Sequence, residues 1–223
     1  AYIFEWNGNQ YVESAKLMAS DAANLAKFGE AVSIYGDTAA VGAYNVDLGA
    51  GAVYIFEYDG TVWQESVKLV ASDAASQDNF GYSIALDNDT LLVGARANED
   101  FGSYTGAAYI FERSNGLWTE TNKLLASDAS PNSRFGWDVD LAGDLAIVGA
   151  PKNNSVGAGY IFRNGISGWE EEAKLVPASG SPGDNFGEAV GISGGNAVLG
   201  ASDALVGTVN TGAAYVFNYN TGN

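Results

Sequence analysis

Asp138 and Asp140 are the two carboxylates whose spacing could do chemistry. Two residues apart in an extended segment, they share a face, and paired carboxylates can divide acid and base roles. The matching positions elsewhere in the chain hold Ala31 and Ser33, Ser83 and Ala85, and Ala189 and Gly191. Small side chains there indicate a crowded face, so a hydrated channel lining is preferred over catalysis. The 223 residues include no histidine and no cysteine. Ser-His-Asp and Cys-His arrangements, ordinary histidine zinc sites, thiolate chemistry and disulfides are thereby removed.

Other polar and aromatic residues recur in register. Asp21, Asp73 and Asp128 each sit in an Ala-Ser-Asp stretch, with Ser179 at that place in a fourth copy. They read as side chains accepting loop N–H groups, with a weak cation site as the alternative. Glu13, Glu65, Glu120 and Glu171 precede a recurrent lysine by three. On a strand that spacing puts the two on opposite faces, so each glutamate is expected to meet a charge on the next strand or blade. Trp63, Trp118 and Trp169 recur nine residues after a tyrosine, with Tyr11 in the first copy. Exposed, they would suit a carbohydrate; repeated in register, they read as packing anchors. Asn88-Asp89-Thr90 and Asn153-Asn154-Ser155 match the glycosylation acceptor pattern weakly, the first of them in a tight turn.

The charge balance narrows the partners. Ten Lys+Arg stand against 27 Asp+Glu, a net charge of −17, which repels nucleic acid and anionic membranes. Such a surface suits a secreted protein in a salty medium; simple solubility explains it equally. A 47% hydrophobic content supports a real core, and no apolar run reaches the roughly 18 residues of a membrane helix. The chain opens at Ala1-Tyr2 with neither a charged start nor an apolar signal segment. A removed leader, or a piece of a longer protein, is expected.

The elements that hold these residues repeat. Tyr-Ile-Phe begins at Tyr2, Tyr54, Tyr109 and Tyr160, and Tyr-Val-Phe at Tyr215, at intervals of 52, 55, 51 and 55. From Tyr to the recurrent Lys is 14 residues, from Lys to a Phe-Gly 12, and from that Phe to the Ala of a Gly-Ala 15, in every copy. Only the step from that Ala to the next Tyr varies: 11, 14, 10 and 14. One connection per repeat therefore tolerates length change and lies on the surface. Each unit reads as four strands, and the variable loop joins the second to the third. The sequence predicts an all-β fold: a β-propeller of four-stranded antiparallel blades, about four repeats in a single region over 1–223.

Between the first two strands of each copy stand Gly36-Asp37, Asn88-Asp89, Gly143-Asp144 and Gly194-Gly195. These suit two-residue hairpin turns. Two residues cannot wrap six to eight oxygens round calcium, and a phosphate loop would need a following helix. Phe-Gly, an apolar strand, a turn, then Val-Gly-Ala(-Pro), closest at Val148–Pro151, resembles the FG-GAP repeat of integrin α-chain propellers. The Lys-Leu…Ala-Ser-Asp before Phe-Gly is similar to a bacterial-type subgroup. The resemblance implies an extracellular or cell-surface propeller for adhesion, assembly or protein–protein interaction. The integrin type often carries a calcium loop where this chain has a two-residue turn, so that role is not carried over. No cofactor is expected, with weak calcium binding left open.

Strand three occurs five times, so four closed blades would leave Tyr215–Phe217 without a place. The expectation is a segment of a larger ring, about seven blades as the resemblance implies, completed by other residues or chains. In an antiparallel blade the two-three and four-one loops share one edge: 44–52, 96–107, 151–158 and 202–213, with 19–27, 71–79, 126–134 and 177–185. That edge is expected to meet protein partners or surface glycans. Asp47, Glu99, Asp100, Tyr104 and Asn153 are its candidate contacts. The alternative function is a lectin-like propeller, for which Tyr44, Tyr104 and Asn153 speak. Neither nucleic acid binding nor membrane insertion is expected.

Overall fold

The structure, a computed structural model, describes residues 1–218. Strands β1 (Tyr2–Trp6) and β2 (Tyr11–Lys16) form a two-stranded sheet. Three four-stranded antiparallel sheets follow. The first joins β3 (Val32–Tyr35), β4 (Thr38–Ala43), β5 (Ala52–Tyr58) and β6 (Trp63–Leu69). The second joins β7 (Phe80–Asp87), β8 (Thr90–Ala95), β9 (Ala107–Ser114) and β10 (Leu117–Leu124). The third joins β11 (Val139–Ala142), β12 (Leu145–Ala150), β13 (Ala158–Gly165) and β14 (Gly168–Leu175). Last come β15 (Phe186–Ser193), β16 (Asn196–Ala201) and β19 (Ala213–Asn218), with a small hairpin, β17 (Leu205–Val206) and β18 (Val209–Asn210), in the loop between β16 and β19.

Each sheet runs in chain order, and the first strands of neighbouring sheets (β3 with β7, β7 with β11, β11 with β15) touch. That is the blade arrangement of a propeller, with the first strands innermost. β19 pairs with β16 from Ala201↔Ala213 to Asn196↔Asn218. The third place in the last sheet is therefore filled by β19, and β1–β2 stand in a sheet of their own, as the count of strand threes requires. The expected strand end near Tyr219 lies outside the described residues.

The second and third strands are apolar on both faces because a neighbouring sheet covers each face; all six residues of β4 and of β12 are buried. Each core cluster spans two blades: one joins Ala40, Val53 and Ile55 to Phe80, Leu91, Val93 and Tyr109. The Phe of Phe-Gly is the plug. Phe80 and Phe186 are 0% exposed and Phe135 1%. Within its sheet each Phe packs edge-on against the third strand, Phe80 on Tyr109 at 5.5 Å and Phe135 on Tyr160 at 5.4 Å.

The glycines of the two motifs abut across blade boundaries. A Cβ on Gly42, Gly94 or Gly149 would overlap the carbonyl oxygen of Gly81, Gly136 or Gly187 in the next sheet. Those partners have φ of +83°, +83° and +88°, which favours glycine. The pairs Tyr35↔Thr38, Asp87↔Thr90, Ala142↔Leu145 and Ser193↔Asn196 close the expected two-residue hairpins. Two variable loops hold short 3₁₀ turns, Asp47–Gly49 and Asn153–Ser155. No periodicity announces one turn of helix or a four-residue hairpin, so the sequence left these as plain loops.

Candidate functional site

The recurrent charged residues join neighbouring blades. The Tyr54, Tyr109 and Tyr160 hydroxyls donate to Asp21, Asp73 and Asp128 of the preceding Ala-Ser-Asp loop at 2.6, 2.8 and 2.6 Å. Lys68, Lys123 and Lys174 reach the other oxygen of the same aspartates at 2.7, 2.5 and 2.5 Å. Lys68 holds Asp21 below the usual carboxylate range. At Asp73 and Asp128 burial opposes ionisation, but the lysine and tyrosine donors outweigh it and the net direction is also down. Burial and Asp21 push the Tyr54 phenol up to about 12, and Tyr109 and Tyr160 move the same way.

Two expectations are corrected. The Asp-loop residues accept side-chain donors of the next blade, not chiefly their own loop's N–H groups. Among the described residues Glu65, Glu120 and Glu171 form no ion pair. Glu65, Glu120 and Glu171 each accept the N–H and the hydroxyl of a serine, Ser20, Ser72 and Ser127, at 2.7–2.8 Å. A two-oxygen acceptor matches a serine's paired donors, and the lysine is occupied by the aspartate.

Asp138 and Asp140 serve the backbone of the next blade. Their carboxylates accept the backbone N–H groups of Val190 and Ile192 in β15, both at 2.8 Å. An innermost strand has no neighbour on its inner edge, and these side chains satisfy the N–H groups it leaves. Burial raises the Asp138 pKa. The tryptophans are packing residues. Trp169 belongs to a core cluster, and Trp63 and Trp118 pack against two others; the three indole N–H groups are buried without an acceptor.

The loop edge places the sequence candidates unevenly. Asp47 and Tyr104 line one open cleft of about 810 Å³, with Asn24, Leu25, Asn45 and Gln77. Tyr104 is 40% exposed. Asp47 also faces Lys68 at 3.7 Å. Glu99 is exposed on the next loop, and Asp100 is tied to Lys123. Asn153 is corrected: it is 1% exposed. Its side-chain oxygen accepts from Lys174 at 2.9 Å and from Asn154 at 3.0 Å. The first turn of the loop folds it inward to fix the lysine, so it offers neither a ligand contact nor a glycan acceptor.

A second group on this edge joins Tyr44, named from the sequence, to residues that the sequence reading did not single out. Tyr44 follows a Gly-Ala, and Tyr82 and Trp137 follow a Phe-Gly. They form a ladder across three blades, Tyr44–Tyr82 at 5.3 Å and Tyr82–Trp137 at 5.5 Å. The Arg96 guanidinium lies 3.7 Å from the Tyr82 ring centre and 4.6 Å from that of Trp137. Arg134 lies 5.3 Å from the same Trp137 ring. All five side chains are half-buried. Burial lowers the Arg96 pKa, and Arg134 adds repulsion; burial raises that of Tyr82. The signal was in the sequence: the residues after Phe-Gly read Glu30, Tyr82, Trp137 and Glu188, and those after Gly-Ala read Tyr44, Arg96, Pro151 and Ser202. Positions that change type between invariant motifs mark a surface the packing does not dictate. Among the described residues no group of three or more acidic side chains could hold a metal ion.

The model of the FG-GAP repeat family matches residues 11–56, 63–111, 118–162 and 169–217. No curated protein matches the sequence. Among solved structures, a hydrazine synthase of Kuenenia stuttgartiensis is similar in fold, with a TM-score of 0.58 at 13% identity. The match covers 92% of this chain and 49% of that one, so the chain spans about half the length of that neighbour. At this identity the likeness speaks for the fold alone.

Proposed function

The chain belongs to the FG-GAP repeat family, and from that premise we propose that it is a non-enzymatic protein-interaction module that docks its partner on the loop edge. The observation that carries this is the Tyr44–Tyr82–Trp137 ladder with Arg96 and Arg134. Tyr, Trp and Arg are the residue types that dominate binding energy at protein interfaces. Here they stand on strand ends and flanking positions of a rigid scaffold, where binding costs little ordering. Extracellular or cell-surface work in adhesion or assembly fits the acidic surface, which remains soluble in a salty medium. Partners are protein chains, further blades or other subunits among them. Nucleic acid and membrane insertion fit poorly with a net charge of −17.

One observation favours a second reading. The open 810 Å³ cleft at Asp47 and Tyr104 sets one aromatic ring beside the amide side chains of Asn24, Asn45 and Gln77, a combination that suits a sugar. Chemical crosslinking followed by mass spectrometry, with secreted proteins of the source cells, separates the two. Crosslinked partners lost in Trp137→Ala and kept in a turn variant at 88–89 support the interaction module. Partners kept in Trp137→Ala and lost in the turn variant overturn the choice of edge. A glycan array positive for the wild type and blank for Tyr104→Ala, with no protein partner, favours the lectin reading.

A further inference from the structure

Four arginines occur in this acidic chain, and the fold treats them in two ways. Arg113 pairs with Glu57 at 2.9 Å and Asp89 at 3.5 Å. Arg163 pairs with Asp144 and, at 3.0 Å, with Glu172. Arg96 and Arg134 have no carboxylate within 4 Å and no side-chain hydrogen bond among the described residues. Both guanidinium groups lie against one indole, Arg96 at 4.6 Å and Arg134 at 5.3 Å from its centre, and Arg96 is also 3.7 Å from the centre of the Tyr82 ring. Two like charges held together, half-buried and unpaired, are unfavourable by themselves. Acceptors are abundant on this molecule, with 27 acidic residues. Glu30 and Glu188 contribute to the local field, yet Glu188 is engaged by the Ser202 hydroxyl and neither forms an ion pair with these arginines.

We propose that Arg96 and Arg134, backed by Tyr82 and Trp137, bind a single carboxylate of a peptide partner: its C-terminus, or an isolated Asp or Glu. The naming of a peptide rests on the interaction-module reading above. Ring stacking occupies the π faces of a guanidinium and leaves its in-plane N–H donors free. Those donors form a planar fork that matches a carboxylate in two parallel hydrogen bonds. The net charge of −17 selects for one negative group and against polyanions, whose further charges the surrounding surface repels. Desolvation by the aromatic walls strengthens the pairing relative to an open surface pair.

The side-chain Nε–Hε signals of the four arginines in ¹⁵N-labelled protein test this, under titration with N-acetylglycine at constant ionic strength. The expected result is a saturable shift of Arg96 and Arg134, with Arg113 and Arg163 unmoved as internal controls. N-acetylglycinamide should produce no shift. Arg134→Gln should weaken binding about tenfold, with unchanged Arg113 and Arg163 signals reporting an intact fold. The proposal is overturned if all four signals drift together, if none saturates, or if the amide acts like the acid. Stronger binding of glucuronate or of sulfate than of N-acetylglycine overturns the peptide assignment. Crosslinked partners at this edge with a failed titration would remove only the carboxylate; a successful titration without partners would remove the module reading and leave an anion site.

Discussion

The Tyr109 hydroxyl donates to Asp73 Oδ1 at 2.8 Å, from the third strand of one blade to the loop closing the blade before it. The same tie is made by Tyr54 with Asp21 and by Tyr160 with Asp128. Tyr109→Phe removes the donor and leaves Asp73 with Lys123. We expect a loss of about 1 kcal/mol in urea unfolding. Asp73→Asn should cost a similar amount, and the double variant less than the sum, because the two share one interaction. Strict additivity would show that the tie does not couple the blades.

The same ties set the limits of pH stability. Asp21, Asp73 and Asp128 have folded-state pKa values below their unfolded ones. Their contribution is complete above the unfolded value, near 4, and is lost as pH falls through the folded value. Tyr54 is shifted the other way, up to about 12. Its contribution is complete below the unfolded value, near 10, and is lost as pH rises from there through about 12. Melting temperatures should form a plateau with two falling limbs. Asp73→Asn should flatten the acid limb and Tyr54→Phe the alkaline one. Limbs unchanged by either variant would assign the pH dependence elsewhere.

The repeat arithmetic foretold the blades because packing is local and periodic. Tyr2, Tyr54, Tyr109, Tyr160 and Tyr215 lie in equivalent strands, and a fixed spacing survives only where both ends are packed. The glutamates misled for the opposite reason. Glu120 chooses its partner, Ser72, across a blade boundary, and strand periodicity says nothing of contacts between separate sheets. Asn153 shows a further limit, since a 3₁₀ turn reverses a residue's direction without leaving a pattern. The Tyr82–Arg96–Trp137 group joins residues from two blades whose separation in sequence carries no signal. Only their variability between invariant glycines marked the places.

Gly94→Ala should be among the most damaging single-methyl changes. Its Cβ would overlap the Gly136 carbonyl and the Ser83 hydroxyl. Ser83 can rotate; the carbonyl belongs to the next blade's backbone and cannot retreat without opening the boundary. A loss of about 2–3 kcal/mol is expected in urea unfolding. Gly116→Ala, which has nothing within 4 Å but a φ of +79°, should cost less, about 1 kcal/mol. Equal losses would show that backbone conformation, not blade spacing, selects glycine in Gly-Ala.

Calcium should leave the fold unchanged. The turns at 36–37, 88–89, 143–144 and 194–195 are two residues long, and the pairings beside them are continuous. Calcium takes six to eight oxygens at about 2.3–2.6 Å, more than such a turn can present. Melting temperatures in millimolar calcium and in EDTA should agree. A rise with calcium that saturates would show that some other cluster of oxygens binds it.

Asp140 does two jobs for which the other blades use one residue each. Ser33, five residues after Phe28, accepts the N–H of Leu86, six after Phe80, at 3.0 Å. Asp140, five after Phe135, accepts the N–H of Ile192, six after Phe186, at 2.8 Å. Between these boundaries the equivalent acceptor would be residue 85, which is alanine. The N–H it should serve belongs to Leu141, and the second Asp140 oxygen takes it at 2.9 Å. Asp140→Ala therefore leaves two N–H groups on inner strands without acceptors, at a cost of roughly 2 kcal/mol or more. Asp140→Ser should recover the Ile192 bond and about half the loss. Adding Ala85→Ser to that variant should return an acceptor to Leu141 and most of the rest. Urea unfolding gives the energies, and hydrogen exchange at Leu141 and Ile192 assigns them. If Asp140→Ala is as stable as wild type and both amides stay protected, solvent in the channel serves these N–H groups and the carboxylate is dispensable.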